Sequence, residues 1–347
     1  MWIAVDAMGG DYAPRALVEG AHQAAQGGGP NVVLVGHRRR LEPELARLGD
    51  LGGKLQIEHA DEVVAMEEPA VAVRQKREAS VRVCARLVKE GQAQAMVSAG
   101  HTGATLIAAK TVIGSLPGVD RPALAGVFPN RRGRSVVLDV GANVGVKAAH
   151  LREFAVMGHF YAQEIIGLRS PRVGLMSVGE EEGKGTELTR EVFKVLQRTG
   201  LNFVGNVEGH DVFRGTVDVI VCDGFVGNVM LKTCESLVEY LDALLREELR
   251  LDVSGKIGFM LARNSFDEYR RKIDWREYGA APLLGVDGGC FVAHGGSTAQ
   301  AIKNAIRRAE EFVIADLHHK IRVKLAELHT QEERFLGAVG AGRGAPG

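Results

Sequence analysis

The chain reads as an α/β protein, a three-layer α/β/α sandwich around a mostly parallel sheet, on three observations. Short β-branched apolar runs recur along the 347 residues, stretches with helical spacing separate them, and glycine-rich polar clusters follow the runs. Continuous apolar runs suit strands covered on both faces, as parallel sheets require. Strand–helix alternation over the whole length favours right-handed crossovers onto one sheet.

The expected strands are Trp2–Asp6, Val32–Val35, Leu55–Glu58, Ala95–Ser98, Leu124–Phe128, Val136–Asp139, Arg172–Ser177, Phe203–Gly205, Val217–Cys222 and Phe291–His294. Helices are expected over Pro14–Gln26, Leu151–Ile166, Thr186–Thr199, Gly227–Leu251 and Thr298–Leu328. In the last of these Ile302, Ala305, Ile306, Ala309, Phe312, Val313, Leu317 and Ile321 fall on one stripe. Residues 1–335 read as one catalytic domain, with a helical segment protruding over about 240–278. A subdivision near 146 is open, but no Pro- or Ser-rich linker marks it. The Gly- and Ala-rich end, 336–347, reads as a disordered tail.

Composition narrows the function. Lys plus Arg equals Asp plus Glu at 43 each, so a chain-wide basic field for nucleic acid is absent. No apolar run reaches the length of a membrane-spanning helix, and the first residues lack the basic start of a signal peptide. A cytoplasmic location is expected. Cys84, Cys222, Cys234 and Cys290 are far apart and lack metal spacing, so they read as reduced core thiols. Neither a cofactor nor a metal is called for.

In open α/β sheets, ligands sit beyond the carboxyl ends of the strands. Those positions carry Asp6 to Asp11 with Gly9 and Gly10, then Gly100, His101, Thr102 and Gly103, then Asp139 to Asn143. They continue with Gly179 to Gly185, Asn206 to Gly209, Asp223 to Asn228, and His294 to Ser297. Seven such ends on one sheet edge would line a single polar cleft. Glycines let backbone N–H groups converge on an anion, and helix N-termini add partial positive charge. With Lys184 between Gly183 and Gly185, the set suits phosphate or an oxyanion.

Each feature has a plainer alternative. The run from Gly179 to Gly185 fails the P-loop spacing, because three residues separate Gly179 from Gly183 and Gly185 follows Lys184. It could be a solvated turn whose glutamates suit a helix start, or a magnesium site built from Glu180–Glu182. His101 could cap its helix, Asp6 and Asp11 could cap the helix from Pro14, and Asp223 and Asn228 could only hold their turn. Nucleophile-elbow and Gly-x-Gly-x-x-Gly signatures are missing.

Taken together the blocks resemble a family, the phosphate acyltransferases of bacterial phospholipid synthesis (PlsX). They are Ile3 to Asp11, Val97 to Gly100, Leu138 to Asn143, Val178 to Gly185, Gly205 to Gly209, Asp223 to Lys232 and Ala281 to Gly285, in unbroken order from Met1 to about Ile314. Four residues at three places depart from the family's pattern: His101 stands for Asn, Gly145-Val146 for Asp-Cys, and Glu153 for Gln. The resemblance implies a fold similar to isocitrate and isopropylmalate dehydrogenases and to phosphate acetyltransferases. It implies reversible transfer of a long acyl chain from acyl carrier protein to inorganic phosphate, in a homodimer. A membrane surface and a downstream membrane acyltransferase are further partners it suggests.

Phosphate is itself a nucleophile and a thiolate leaves readily, so positioning and charge stabilisation remain for the protein. On this reading Lys184 and Asn228 are catalytic. Asp6, Gly9, Gly10, Gly100, His101, Thr102, Gly103, Asn143, Gly183, Gly185, Asn206 and Asp223 contact substrate. The apolar stretch flanked by charge, with Lys256, Phe259, Met260, Arg263, Arg270 and Arg271, would meet the carrier protein or a membrane surface, or else be an intersubunit contact. Two other readings are an acetyltransferase-like enzyme using acyl coenzyme A and a non-enzymatic peripheral membrane scaffold.

Overall fold

The structure, a computed structural model, describes residues 1–251, 258–273 and 279–342. Eleven strands form one sheet in the order β3-β2-β1-β4-β11-β10-β5-β6-β9-β7-β8. They are β1 Trp2–Asp6, β2 Asn31–Gly36, β3 Leu55–His59, β4 Ala95–Ser98, β5 Ala123–Asn130, β6 Gly133–Leu138, β7 Val173–Met176, β8 Phe203–Val207, β9 Val219–Val221, β10 Ala281–Leu284 and β11 Gly289–Val292. Ten lie where the apolar runs place them. The eleventh, β10, was read only as a motif, because Pro282 stands inside it. An antiparallel strand of four residues tolerates that proline between its two partners.

Direction is where sequence and structure part. The pairs β1·β2, β2·β3, β1·β4 and β4·β11 are parallel, as are β6·β9, β9·β7 and β7·β8. Between these groups β10 is antiparallel to β11, β5 to β10, and β6 to β5. Three reversals leave β6, β9, β7 and β8 running opposite to β1, β4 and β11. The strand ends therefore do not share one edge. Asp6, Ser98 and His294 leave one side of the sheet, and Asp139, Ser177 and Cys222 leave the other.

The helices are α1 Arg15–Ala25, α2 Arg38–Ala46, α3 Ser80–Lys89, α4 Thr102–Ala108, α5 Ala148–Glu164, α6 Glu187–Leu196, α7 Asp211–Arg214, α8 Gly224–Leu251, α9 Arg263–Ile273, α10 Ala299–Ile314 and α11 Leu317–Gly342. Leu17, Phe154, Val192 and Ile306 pack one face of the sheet, and Val83, Cys84, Ala104 and Ala108 the other. The expected single last helix is two. Asp316 takes φ 48°, which breaks the hydrogen-bond run, and the chain turns so that α10 lies on α1 while α11 lies on α5. The second helix continues past 336 to Gly342, where the tail was expected to begin, and residues 343–347 lie outside the described residues. Buried Cys84, Cys222 and Cys290 are free, with burial pushing their thiols up.

Candidate active site

Two buried carboxylates organise the loops, one in each half of the sheet. Asp6 ends β1 and is 2% exposed. Its Oδ2 accepts the Ser98 hydroxyl at 2.7 Å, and its Oδ1 accepts the Met8 N–H at 3.3 Å. Ser98 Oγ in turn accepts the Gly100 N–H at 3.1 Å. A Cβ on Gly9 would fall 2.6 Å from Asp6 Oδ2 and 2.7 Å from the Gly100 nitrogen, so only glycine lets the two loops interlock. Gly10 lies beside the Gly295 carbonyl and Ala99. Asp6 and Asp11 do not cap α1, whose N-cap is Pro14 without a side-chain bond.

Asp139 is the counterpart after β6. Its carboxylate accepts N–H groups from Leu124, Gly141 and Ala142 on Oδ1, and from the Asn143 backbone and side chain on Oδ2. Asn143 also donates to the Pro122 carbonyl at 2.8 Å. Burial pushes the Asp6 and Asp139 carboxyls up, against these hydrogen bonds. The Gly141–Asn143 N–H groups are thus engaged by Asp139 and not open to an anion. The same holds at Asp223, which accepts the Phe225 and Val226 N–H groups and caps α8. It holds again at His101, whose Nδ1 accepts the Ala104 N–H at 3.4 Å and caps α4.

Across the antiparallel seam, on the α4 side of the sheet, lies a cavity of about 330 Å³. Leu124, Gly126, Val140, Ala281 and Val292 give it an apolar floor, and Leu231 of α8 an apolar wall. Thr102 and His294 come to its rim from one half of the sheet, Gly141 and Asn228 from the other. So the opposed strand ends meet over the face of the sheet instead of along one edge. The close seat of α8 makes this happen: a Cβ on Gly227 would overlap the Asp139 carbonyl, and one on Gly141 would lie 3.2 Å from Asn228 Oδ1. Lys232 and Glu235, one and two turns along α8, complete the rim as an ion pair at 2.8 Å. Sequence reasoning named His294 only among the strand ends and Lys232 only within a resembling block, although the spacing from Asn228 to Lys232 puts those two on one helix face.

The remaining residues fall into two groups. Thr102, Asn228 and Lys184 are exposed, and among the described residues their side chains have no hydrogen-bond or ion-pair partner. Asn206 is buried under the Gly179–Gly185 loop, where its Nδ2 donates to the Glu181 carbonyl at 2.8 Å and its Oδ1 stays unpaired. That loop, with Gly183, Lys184 and Gly185, follows β7, two strands from β6, and does not line the cavity. Gly103 packs toward Ala70 instead of toward the cavity. Glu180 meets His210 and Asp211 with ligand atoms within 4.8 Å of one another, a group that could hold a divalent ion. Asp211 is there already engaged by the Glu208 N–H and Thr216.

Away from the site, Met260 and Arg263 are exposed and Phe259 half-buried against Phe266. Lys256 and the side chains of Arg270 and Arg271 lie outside the described residues. Among those described, no helix is long and apolar enough to cross a membrane.

Comparison with known proteins fits this architecture. A phosphotransacetylase from Streptococcus pyogenes superposes with TM-score 0.60 at 19% identity, covering 90% of this chain and 94% of its own. A branched-chain phosphotransacylase from Enterococcus faecalis V583 does so with TM-score 0.56 at 16%, covering 90% and 99%. At such identities they show the fold alone. The family model described as fatty acid synthesis protein matches residues 1–320. Phosphate acyltransferase of Geotalea uraniireducens is 48% identical over 99% of this chain and 100% of its own. That of Pelotomaculum thermopropionicum is 50% identical over 95% and 97%. Such identity over nearly the full length places the chain in the phosphate acyltransferase family, as an enzyme that transfers acyl groups to phosphate.

Proposed function

We propose that the chain moves a long acyl group from an acyl carrier protein thioester to inorganic phosphate, reversibly, at the cavity between the two halves of the sheet. The observation that carries this reading is the meeting of uncommitted polar side chains, Thr102 and Asn228, with an apolar floor in one cavity. An acyl thioester presents that pair of chemistries, a polar carbonyl on an apolar chain. Asn228 is placed to donate to the carbonyl oxygen, where charge grows as the tetrahedral intermediate forms. A phosphate oxygen attacks the carbonyl carbon, the C–S bond breaks, and the carrier leaves as thiolate.

Lys184, on the loop after β7 outside the cavity lining, is the cation that would bring phosphate to the cavity mouth in this proposal. Its ammonium has no ion-pair partner among the described residues, whereas Lys232 is already neutralised by Glu235. Asp6, Asp139, Asn143 and Asp223 act as positioning residues that hold loops, the three carboxylates each accepting backbone N–H groups. A second copy of the chain is assigned to the exposed stripe of α8, with Leu237, Tyr240, Leu241 and Leu244 at helical spacing. The exposed Met260 with Phe259 is assigned to a membrane surface, which would put product where later lipid enzymes work. Incubation with acyl carrier protein thioester and phosphate tests the reaction. Hydroxylamine-trappable acyl phosphate is expected, and turnover with acyl coenzyme A alone would move the reading to the acetyltransferase-like alternative.

A further inference from the structure

Two small residues lie side by side in the cavity lining, and register shows why. On β10 and β5, Leu283 faces Leu124, and Ala281 faces Val292 on β11. Carried two residues on, the same antiparallel register sets Gly126 beside Ala281. A row across the sheet then reads Val292, Ala281, Gly126. Its neighbouring row, Leu283 beside Leu124, is filled by leucines. Three adjacent strands at the centre of a sheet usually cover this face with branched side chains. Here two successive positions carry a methyl group and a hydrogen; Val140 and Phe128 close over Gly126, and the cavity lined by Thr102 and Leu231 adjoins Ala281. Gly126 has no room to grow, since a Cβ there would meet Val140 Cγ1 at 2.9 Å and the Phe128 ring at 3.1 Å. Ala281 is half-buried and lines the cavity.

We propose that this groove, floored by Gly126 and Ala281, is the acyl-chain site, and that Ala281 sets how long a chain it takes. The proposal rests on the acyltransferase reading above and names the part of the substrate that the cavity holds. The lining is apolar where the chain would lie: Leu124, Val140, Val292 and Leu231. The reactive end is fixed by Asn228 and Thr102 at the rim, so the methyl end must extend over the floor. The bulk at position 281 then limits its length, in the way that filling an apolar slot excludes the group that occupied it. A pantetheine arm or nucleotide in the groove would instead need polar partners along the floor.

The test uses the full chain and acyl carrier protein thioesters of eight to eighteen carbons, with acyl phosphate trapped as hydroxamate. Ala281→Phe is expected to move the kcat/KM optimum to shorter chains. One excluded methylene changes selectivity by about fourfold, the ~0.8 kcal/mol of a buried CH2, so a ring displacing about three methylenes gives roughly sixtyfold. Ala281→Val, which suits a strand, should give a shift of the same sign and smaller size. It keeps the test decisive should the phenylalanine variant not fold. An unchanged chain profile in an active, folded variant overturns the proposal while leaving the proposed reaction intact. Should the wild type form no acyl phosphate, the reaction fails instead, and displacement of a fluorescent fatty acid by palmitate decides the groove. Displacement in wild type that is weakened in Ala281→Phe supports it, and equal displacement in both overturns it.

Discussion

Glu153 offers a direct measurement of what burial costs beside the site. It lies in the first turns of α5 and is 4% exposed. Its Oε2 accepts the Asp120 N–H at 3.1 Å, and the Arg121 backbone also donates to it. Burial pushes its carboxyl from 4.5 up to about 7, with the Asp120 charge adding to the rise and Arg152 opposing it. His150 faces Asp120 from the same turn, accepting the Lys147 N–H on Nδ1 and donating from Nε2 at 2.7 Å. A carboxyl raised on folding stabilises the folded state fully below its unfolded value and loses that contribution as pH climbs through the folded one. From 4.5 to about 7, at ~1.36 kcal/mol per pH unit, the loss is about 3 kcal/mol. Glu153→Gln cannot ionise and escapes it. Urea unfolding of both proteins at pH 4.5 and pH 8 should therefore show the variant gaining about 3 kcal/mol on wild type between the two. Any fixed cost of the amide, about 1 kcal/mol for one imperfect hydrogen bond, cancels in that difference. A stability difference that is the same at both pH values would refute the burial argument.

Other perturbations probe the remaining assignments. Lys184→Ala should lower kcat/KM by two or more orders of magnitude, about 3 kcal/mol or more, with unchanged thermal unfolding, while Lys232→Ala should cost less. Equal losses would remove the argument from ion-pair neutralisation. Asp139→Asn leaves N–H groups without a full acceptor and should destabilise by about 1–3 kcal/mol in calorimetry, with activity falling as the Gly141 loop loosens. Phe259→Glu combined with Met260→Glu should reduce co-sedimentation with anionic liposomes, and equal binding would clear that segment of the role. Leu241→Glu on the α8 stripe should shift sedimentation from dimer toward monomer.

Much of the fold was legible because burial on both faces leaves a direct mark, the unbroken apolar run. β1, β4, β9 and β11 carry it most fully, while β3 and β8 at the sheet's edges mix apolar and polar residues. β10 does not, since Pro282 interrupts the pattern and the strand is short. Strand direction leaves little mark: β5 and β6 read as further apolar runs, and only the two-residue turn between Asn130 and Gly133 hints that they form a hairpin. That omission is why the strand ends were expected along one edge. The break at Asp316 was equally hidden, because the apolar stripe runs through it in phase. At the site, residue type was legible and commitment was not. Asp6, Asp139, Asn143, Asp223 and His101 are the polar types a phosphate site uses, and each is already engaged within its own loop.

That engagement reshapes how the site can work. A glycine-rich loop whose N–H groups converge on a buried carboxylate is rigid, and it presents no vacant donor to an incoming anion. On the proposed reading the oxyanion and the phosphate are met by side chains that project past those loops, of which Asn228 and Thr102 stand at the cavity and Lys184 on its own loop. Rigidity is the benefit, because a group held by the Asp139 network does not have to reorganise during reaction. Gly227 transmits it: the absence of a Cβ seats the first turn of α8 on the Asp139 carbonyl, and Asn228 is the next residue. On the proposed reading the buried carboxylates shape the geometry of the site without touching substrate. Their replacement should lower turnover through the position of Asn228 and not through any lost charge at the reacting atoms.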